Sequence, residues 1–170
     1  IEAEYSFGSE TPDSDKGPPV EVETELGTVV KFRGQVDRVD RSEDESRVIV
    51  YDYKSGSNNA YRGLDKDPVK KGTKLQLPLY SKAIAHKYPD ADISAAYWFV
   101  RESGSGELHP APEKYESDRA EKALTSAVGT IVDGIECGIF PARPGDPASW
   151  ATSASRLDKT SSRLIGSCQS

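Results

Sequence analysis

Hydrophobic and polar positions alternate with a period of two over Val20–Leu26, and Gly27-Thr28 then turns the chain into a second extended run, Val29–Asp40. Alternation of this kind sends successive side chains to opposite faces, so the two runs predict a β-hairpin. Arg41–Ser46 is a charged turn. Arg47–Lys54 (RVIVYDYK) is the strongest strand signal, being short, β-branched and aromatic and closed by Ser55-Gly56-Ser57. Three consecutive antiparallel strands are expected. Ser9–Pro19 and Asn58–Gly72 read as loops. A helix is predicted over about Leu75–Lys87, with Pro78 in its first turn, where the missing N–H costs nothing. Asp92–Arg101 (DISAAYWFVR) predicts a fourth strand, with a return strand near Glu107–His109. Asp118–Cys137 is the clearest helix: Ala120, Leu124, Ala127, Val128, Ile131 and Ile135 form one apolar stripe, Ser117 can cap its start and Gly138 can end it.

The 170 residues suit one domain, here residues 1–140, followed by a Pro-, Ser- and Gly-rich tail over residues 141–170. Hydrophobic residues make up 35% of the chain, enough for a single core. No apolar run approaches the roughly 18–20 residues of a membrane span, so no membrane partner is expected. Two cysteines, Cys137 and Cys168, cannot build a disulfide scaffold, and no basic, apolar leader opens the chain. These features suggest the cytoplasm. The chain starts at Ile1 and contains no methionine, which reads as a piece of a longer protein.

A net charge of -6 argues against a polyanionic partner until it is resolved along the chain. Residues 1–28 hold eight acids and one base, so the remainder sums to +1. Arg62–Lys87 carries seven bases against Asp65 and Asp67. Phosphate contacts depend on local charge, so that stretch could bind nucleic acid; a solvated lysine-rich loop is the alternative.

Candidate chemistry starts on the Arg47–Lys54 strand, where Val48, Val50, Asp52 and Lys54 share one face and Ile49, Tyr51 and Tyr53 the other. Asp52 and Lys54 could simply pair at a polar strand end. A meander, however, can bring Asp37 beside Asp52, and two close carboxylates are best explained by a cation between them. Mg²⁺ or Mn²⁺ would take both, with the Tyr53 carbonyl, waters and phosphate oxygens. Lys54 could then hold or polarise an attacking water, which suits phosphodiester hydrolysis.

Three ordered blocks carry a family resemblance: Gly34-Gln35-Val36-Asp37-Arg38-Val39-Asp40, Val50-Tyr51-Asp52-Tyr53-Lys54-Ser55-Gly56 and Leu75-Gln76-Leu77-Pro78-Leu79-Tyr80. Over about residues 4–100 the chain resembles the RecB-type PD-(D/E)XK nucleases, found in helicase–nuclease machines of the RecB and AddB type and in related exonucleases. The resemblance implies a mixed α/β, restriction-endonuclease-like core with a central mixed sheet of about four or five strands flanked by helices. It implies Asp37 and Asp52 as metal ligands, Lys54 as the catalytic lysine, and Gln76 and Tyr80 as a Gln-xxx-Tyr motif facing the site. Glu4 matches the family's upstream glutamate. Arg62, Lys70, Lys71 and Lys74 would contact DNA. The implied activity is Mg²⁺- or Mn²⁺-dependent DNA hydrolysis, exonuclease in preference to endonuclease, beside a helicase domain or subunit, in repair and recombination.

Other readings of the same residues stay open. Thr73-x-x-Gln76 matches a capping box, Tyr80 could be a core-edge aromatic, and Glu4 is one acid among many. Asp40 falls on the opposite face from Asp37 and reads as a turn or salt-bridge residue. His86 and His109 read as surface residues. Relatives also carry a histidine ligand on an earlier helix, which no residue here supplies, so an isolated fragment has an incomplete site. Several relatives continue from a segment like Gly138-Ile139-Phe140-Pro141 into a four-cysteine iron–sulfur cluster. Two cysteines cannot hold one, so a cluster would belong only to a full-length protein. Cys137, at a helix end, reads as structural. The rival readings are a non-catalytic DNA-binding or scaffolding module of the same fold, and an unrelated domain with chance matches.

Overall fold

A computed structural model describes residues 2–11, 16–100 and 106–139. The chain falls into two units, residues 1–130 and 131–170. The Pro/Ser/Gly-rich tail, Cys168, Phe140 and Pro141 lie outside the described residues.

The first unit is built on a five-stranded mixed sheet. Its strands are β1 (Glu2–Phe7), β4 (Gly34–Arg41), β5 (Arg47–Lys54), β6 (Asp92–Phe99) and β7 (Glu107–His109), side by side in that order. A separate hairpin, β2 (Val20–Glu23) and β3 (Val29–Phe32), makes a two-stranded sheet. Among the described strands β5 and β6 run parallel, and the α1 helix (Gln76–Lys87) supplies the crossover that parallel neighbours require. β5 is central, which explains its β-branched composition: Val48 and Val50 are fully buried. α1 sets Leu77 and Ile84, also fully buried or nearly so, against β5 and β6.

Several expectations shift. The run Val29–Asp40 is two strands, because the chain bends at Arg33-Gly34; β3 pairs with β2 while β4 enters the main sheet. The expected three-strand meander is therefore a hairpin followed by a strand pair. β1, unassigned from the sequence, pairs antiparallel with β4 from Glu2↔Val39 to Phe7↔Gly34. The Asn58–Gly72 loop contains a 3-10 turn at Asn59–Tyr61.

The α2 helix (Ser117–Glu136) begins one residue early, and the Ala120 N–H donates to the Glu116 carbonyl, so Ser117 is inside the helix rather than its cap. Ala120, Leu124 and Val128 are buried as the stripe predicts, whereas Ile131 and Ile135 are 44% and 59% exposed. In the second unit, Gly138 at φ +63 ends the helix as expected, with the Ile139 N–H donating to the Gly134 carbonyl.

Candidate active site

The site forms where β4 and β5 part. Their pairing runs from Arg41↔Val48 to Arg38↔Tyr51 and then stops, although both strands continue. Asp37 fills the gap: its Oδ2 accepts the Tyr53 N–H at 2.7 Å. The carboxylate replaces a ladder partner, and Asp37 stands beside Asp52 in the next register position. On its other side Asp52 pairs directly with Tyr97 of β6, and Tyr97 with His109 of β7. Direct partners share a face, so one row crosses the sheet through Asp52, Tyr97 and His109, with Asp37 near enough for its charge to act on Asp52.

Asp52 is 3% exposed and ion-paired with Lys54 through Oδ2. Burial pushes its carboxyl above the usual range; Lys54 pulls it back, Asp37 raises it further, and Lys74 lowers it. The ammonium of Lys54 also lies 5.3 Å from the centroid of the Tyr97 ring. Asp52 Oδ2 and the Tyr97 hydroxyl are buried, and neither makes a hydrogen bond of normal geometry to the described residues.

Gln76 and Tyr80 lie on the first turns of α1, hydrogen-bonded to each other. The Tyr80 hydroxyl is raised by burial, then by the charge of Asp52, and lowered by the Gln76 bond. The capping-box reading of Gln76 fails, because Leu75 occupies the cap with no side-chain bond and Thr73 Oγ1 donates to the Lys70 carbonyl. Glu4 is exposed and stands opposite Asp37 on β1, since Ala3 pairs with Arg38 and Tyr5 with Val36. Its φ of +59 is a left-handed conformation that costs a residue with a side chain about 1–3 kcal/mol.

The glycine of the first block has a steric cause. A Cβ at Gly34 would stand 2.9 Å from Phe7 Cζ and 3.7 Å from Tyr80 Cε1. Phe7 is 4% exposed and has little room to yield. Gly34→Ala is expected to destabilise the protein by about 1–3 kcal/mol, read as a lower urea midpoint at unchanged slope. An unchanged midpoint would show that the Phe7 ring moves freely.

The opposite face of the sheet absorbs the competing acid. Asp40 accepts two 2.8 Å bonds from Arg38, whose guanidinium stacks 5.2 Å from Trp98 and 5.8 Å from Tyr51. Asp40 is a salt-bridge residue, as its parity on the strand predicts.

The basic residues separate. Arg62 and Lys71 are exposed, and Lys70 donates to the Arg62 carbonyl. Lys70, Lys71 and Gly72 are three successive left-handed residues, a turn held by the Lys71 N–H bond to Asp67. Lys74 stands 4.0 Å over the Tyr61 ring, and Asp52 feels its charge. Sequence reasoning missed Tyr61 and Tyr97, and it left His109 on the surface. His109 is instead half-buried in a cluster with Asn58 and Glu107. His86 and Cys137 are exposed.

The PD-(D/E)XK nuclease superfamily model matches residues 3–152, nearly the whole chain. The chain belongs to this superfamily. It is 30% identical over 133 residues, 75% of its length, to the B-type subunit of the ATP-dependent helicase/deoxyribonuclease of Clostridioides difficile (strain 630). The like-named proteins of Caldanaerobacter subterraneus subsp. tengcongensis and Clostridium novyi (strain NT) are 37% and 36% identical over 83 residues, 48% of this chain. The matched stretches span 10%, 6% and 7% of those relatives' own lengths.

Superfamily members generally use divalent metals, and the site suits one. Among the described residues no group of three or more His, Cys, Asp or Glu side chains converges to form a protein cage. A hard cation such as Mg²⁺ needs no such cage: it takes one or two carboxylates and completes its shell with water and phosphate oxygens. Asp37 and Asp52 supply those carboxylates, and the buried Asp52 Oδ2, whose one charged neighbour at contact distance among the described residues is the Lys54 ammonium, keeps a lone pair for a cation.

Proposed function

We propose that this chain is the nuclease domain of a larger helicase–nuclease subunit, acting on DNA in the cytoplasm during repair and recombination. The reaction is phosphodiester hydrolysis with Mg²⁺ or Mn²⁺, as an exonuclease in preference to an endonuclease. The observation that carries the reading is the buried Asp52–Lys54 pair on a central strand with Asp37 at its side. A stability-only role gives no reason to gather two carboxylates there, because their repulsion raises the cost of ionising Asp52.

In this reading Asp37, Asp52 and the Tyr53 carbonyl hold the cation, which supplies a bound water of lowered pKa and Lewis-acid polarisation of the phosphate. Lys54 orients the attacking water and neutralises charge as it grows on the phosphate oxygens. Gln76 and Tyr80 brace the site or touch the substrate strand from α1, and Glu4 closes the β1 side. Arg62, Lys70, Lys71 and Lys74 contact phosphates. An iron–sulfur cluster would belong only to the full-length protein.

End-labelled single- and double-stranded DNA, incubated with Mn²⁺ and either this chain or Asp52→Asn, tests the reading. Cleavage that vanishes in the variant supports it, and the labelled products give the polarity. Cleavage that survives in Asp52→Asn overturns it. The rival, a non-catalytic module of the same fold, draws on the lack of a third carboxylate or imidazole among the described residues. It predicts DNA binding with no turnover in a longer chain that includes the preceding segment.

The basic loop makes a separate prediction. Replacing Arg62, Lys70 and Lys71 by alanine should weaken DNA binding for all sequences. It should also lower the slope of log affinity against log salt by about one for each phosphate that is no longer neutralised. An unchanged slope in a salt titration would remove the loop from the interface.

A further inference from the structure

Residues 58–74 pack Tyr61 against Tyr97 and Phe99 of β6, the face of the sheet that carries Asp52. The 3-10 turn Asn59–Tyr61 is anchored at both ends. Asn58, 6% exposed, donates its side-chain amide to the Glu107 carboxylate of β7 and lies 3.3 Å from His109 Nε2. Tyr61 sets its ring edge-on against Tyr97 and Phe99, with centroids 4.7 Å and 5.0 Å apart. His109 packs edge-on against Phe99 at 5.7 Å, and its Nε2 is 3.5 Å from Glu107 Oε2. Lys74 rests over Tyr61 at 4.0 Å.

Two features exceed what anchoring a loop requires. Lys74 makes no ion pair with any acid among the described residues; its ammonium is stationed by an aromatic ring, with Asp52 within electrostatic reach. His109 keeps 27% of its side chain exposed although its orientation is fixed by a buried amide and a carboxylate. Two strand steps separate it from Asp52, roughly 10 Å at the usual inter-strand spacing. Along a single strand, whose consecutive phosphates lie further apart than the 3.4 Å axial rise of the duplex, that is a separation of about one to two phosphates.

We propose that Lys74 and His109 form a second subsite for the substrate strand, each contacting a phosphate on the same side of the one cleaved. Tyr61 is the post that positions Lys74, and Asn58 and Glu107 are the positioning residues for His109. The strand then runs across β6 toward β7 rather than back over β4. This inference rests on the nuclease reading and gives that site a direction.

The test is a binding cycle. This chain, in Ca²⁺, is titrated into short fluorescent single strands carrying one neutral methylphosphonate at successive positions, followed by anisotropy. Lys74→Gln and His109→Gln should each weaken binding of the unmodified strand about tenfold, the usual worth of a charge-assisted contact. A methylphosphonate at one position should cost wild type the same factor and cost Lys74→Gln nothing more. A second position, displaced toward one end, should behave likewise for His109→Gln. Tyr61→Leu should copy Lys74→Gln, and Tyr61→Phe, which keeps the ring, should bind as wild type. Wild-type affinity in Lys74→Gln and His109→Gln, or penalties that multiply at every position, would overturn the subsite. The nuclease reading is judged separately by the Asp52→Asn cleavage assay. A dead Asp52→Asn with silent Lys74 and His109 variants sinks only the subsite.

Discussion

Asp52→Asn is expected to abolish DNA cleavage, by on the order of 10³-fold or more, while making the metal-free protein more stable. The two effects have one cause. Asp52 is almost fully buried, with its carboxyl raised by desolvation first and by Asp37, and Lys54 only partly offsets this. The folded state therefore binds the Asp52 proton more tightly than the unfolded chain, whose value lies near 3.8. Stability falls as pH rises from that value through the raised native one, and Asp52→Asn should flatten the decline. A gain of about 1 kcal/mol at neutral pH would appear as a Tm higher by about 2–4 °C. Adding Mn²⁺ should reverse the ranking: wild type gains about 2.7 kcal/mol at a hundredfold excess over its Kd, and Asp52→Asn gains little. The opposite substitution separates pair from charge. Lys54→Met removes the cation and leaves Asp52 uncompensated, which costs about 3–5 kcal/mol when the carboxylate stays ionised. That loss should shrink as pH is lowered, because protonation removes the orphaned charge. Thermal melts across pH, with and without Mn²⁺, decide the matter. A destabilised apo Asp52→Asn would mean that the pair stabilises the fold and that no function need be invoked.

Phe99→Ala is expected to cost about 3–5 kcal/mol, a large share of the roughly 5–15 kcal/mol that keeps a domain folded. Phe99 is fully buried at the end of β6 and holds Tyr61 on one side and His109 on another. Truncation leaves a cavity that two rings of different strands and loops cannot collapse into together. Calorimetry should record a Tm lower by roughly 6–20 °C. Ile135→Ala is the contrast, since Ile135 is 59% exposed and its replacement should stay within about 0.5 kcal/mol. Equal losses at the two positions would contradict the burial pattern.

Local pattern reaches far in this chain. The β5 strand, the return strand Glu107–His109 and both long helices follow from periodicity and turn chemistry within a residue or so, whereas β2 ends at Glu23 and the turn expected at Gly27-Thr28 begins at Thr24. The face shared by Asp52 and Lys54 and the exclusion of Asp40 follow from strand parity alone. β1 went unassigned, because acids and glycines surround a short apolar run at Tyr5 and Phe7 and hide it.

What the pattern could not carry is every relation between segments distant in sequence. The bend at Arg33-Gly34 exists because β1 must lay Phe7 against Gly34, a contact across 27 residues. Helical periodicity put Ile131 and Ile135 in the stripe of Leu124, yet both are exposed. His109 looks like a surface residue until register sets it in one row with Tyr97 and Asp52. Lys74 is one of seven bases in its stretch until the fold brings Tyr61 under it. The sequence determines which residues can form strands, helices and a charged pair, because those depend on neighbours a few positions away. Tertiary structure alone decides which of them meet, because strand pairing and burial join parts of the chain that share no local signal.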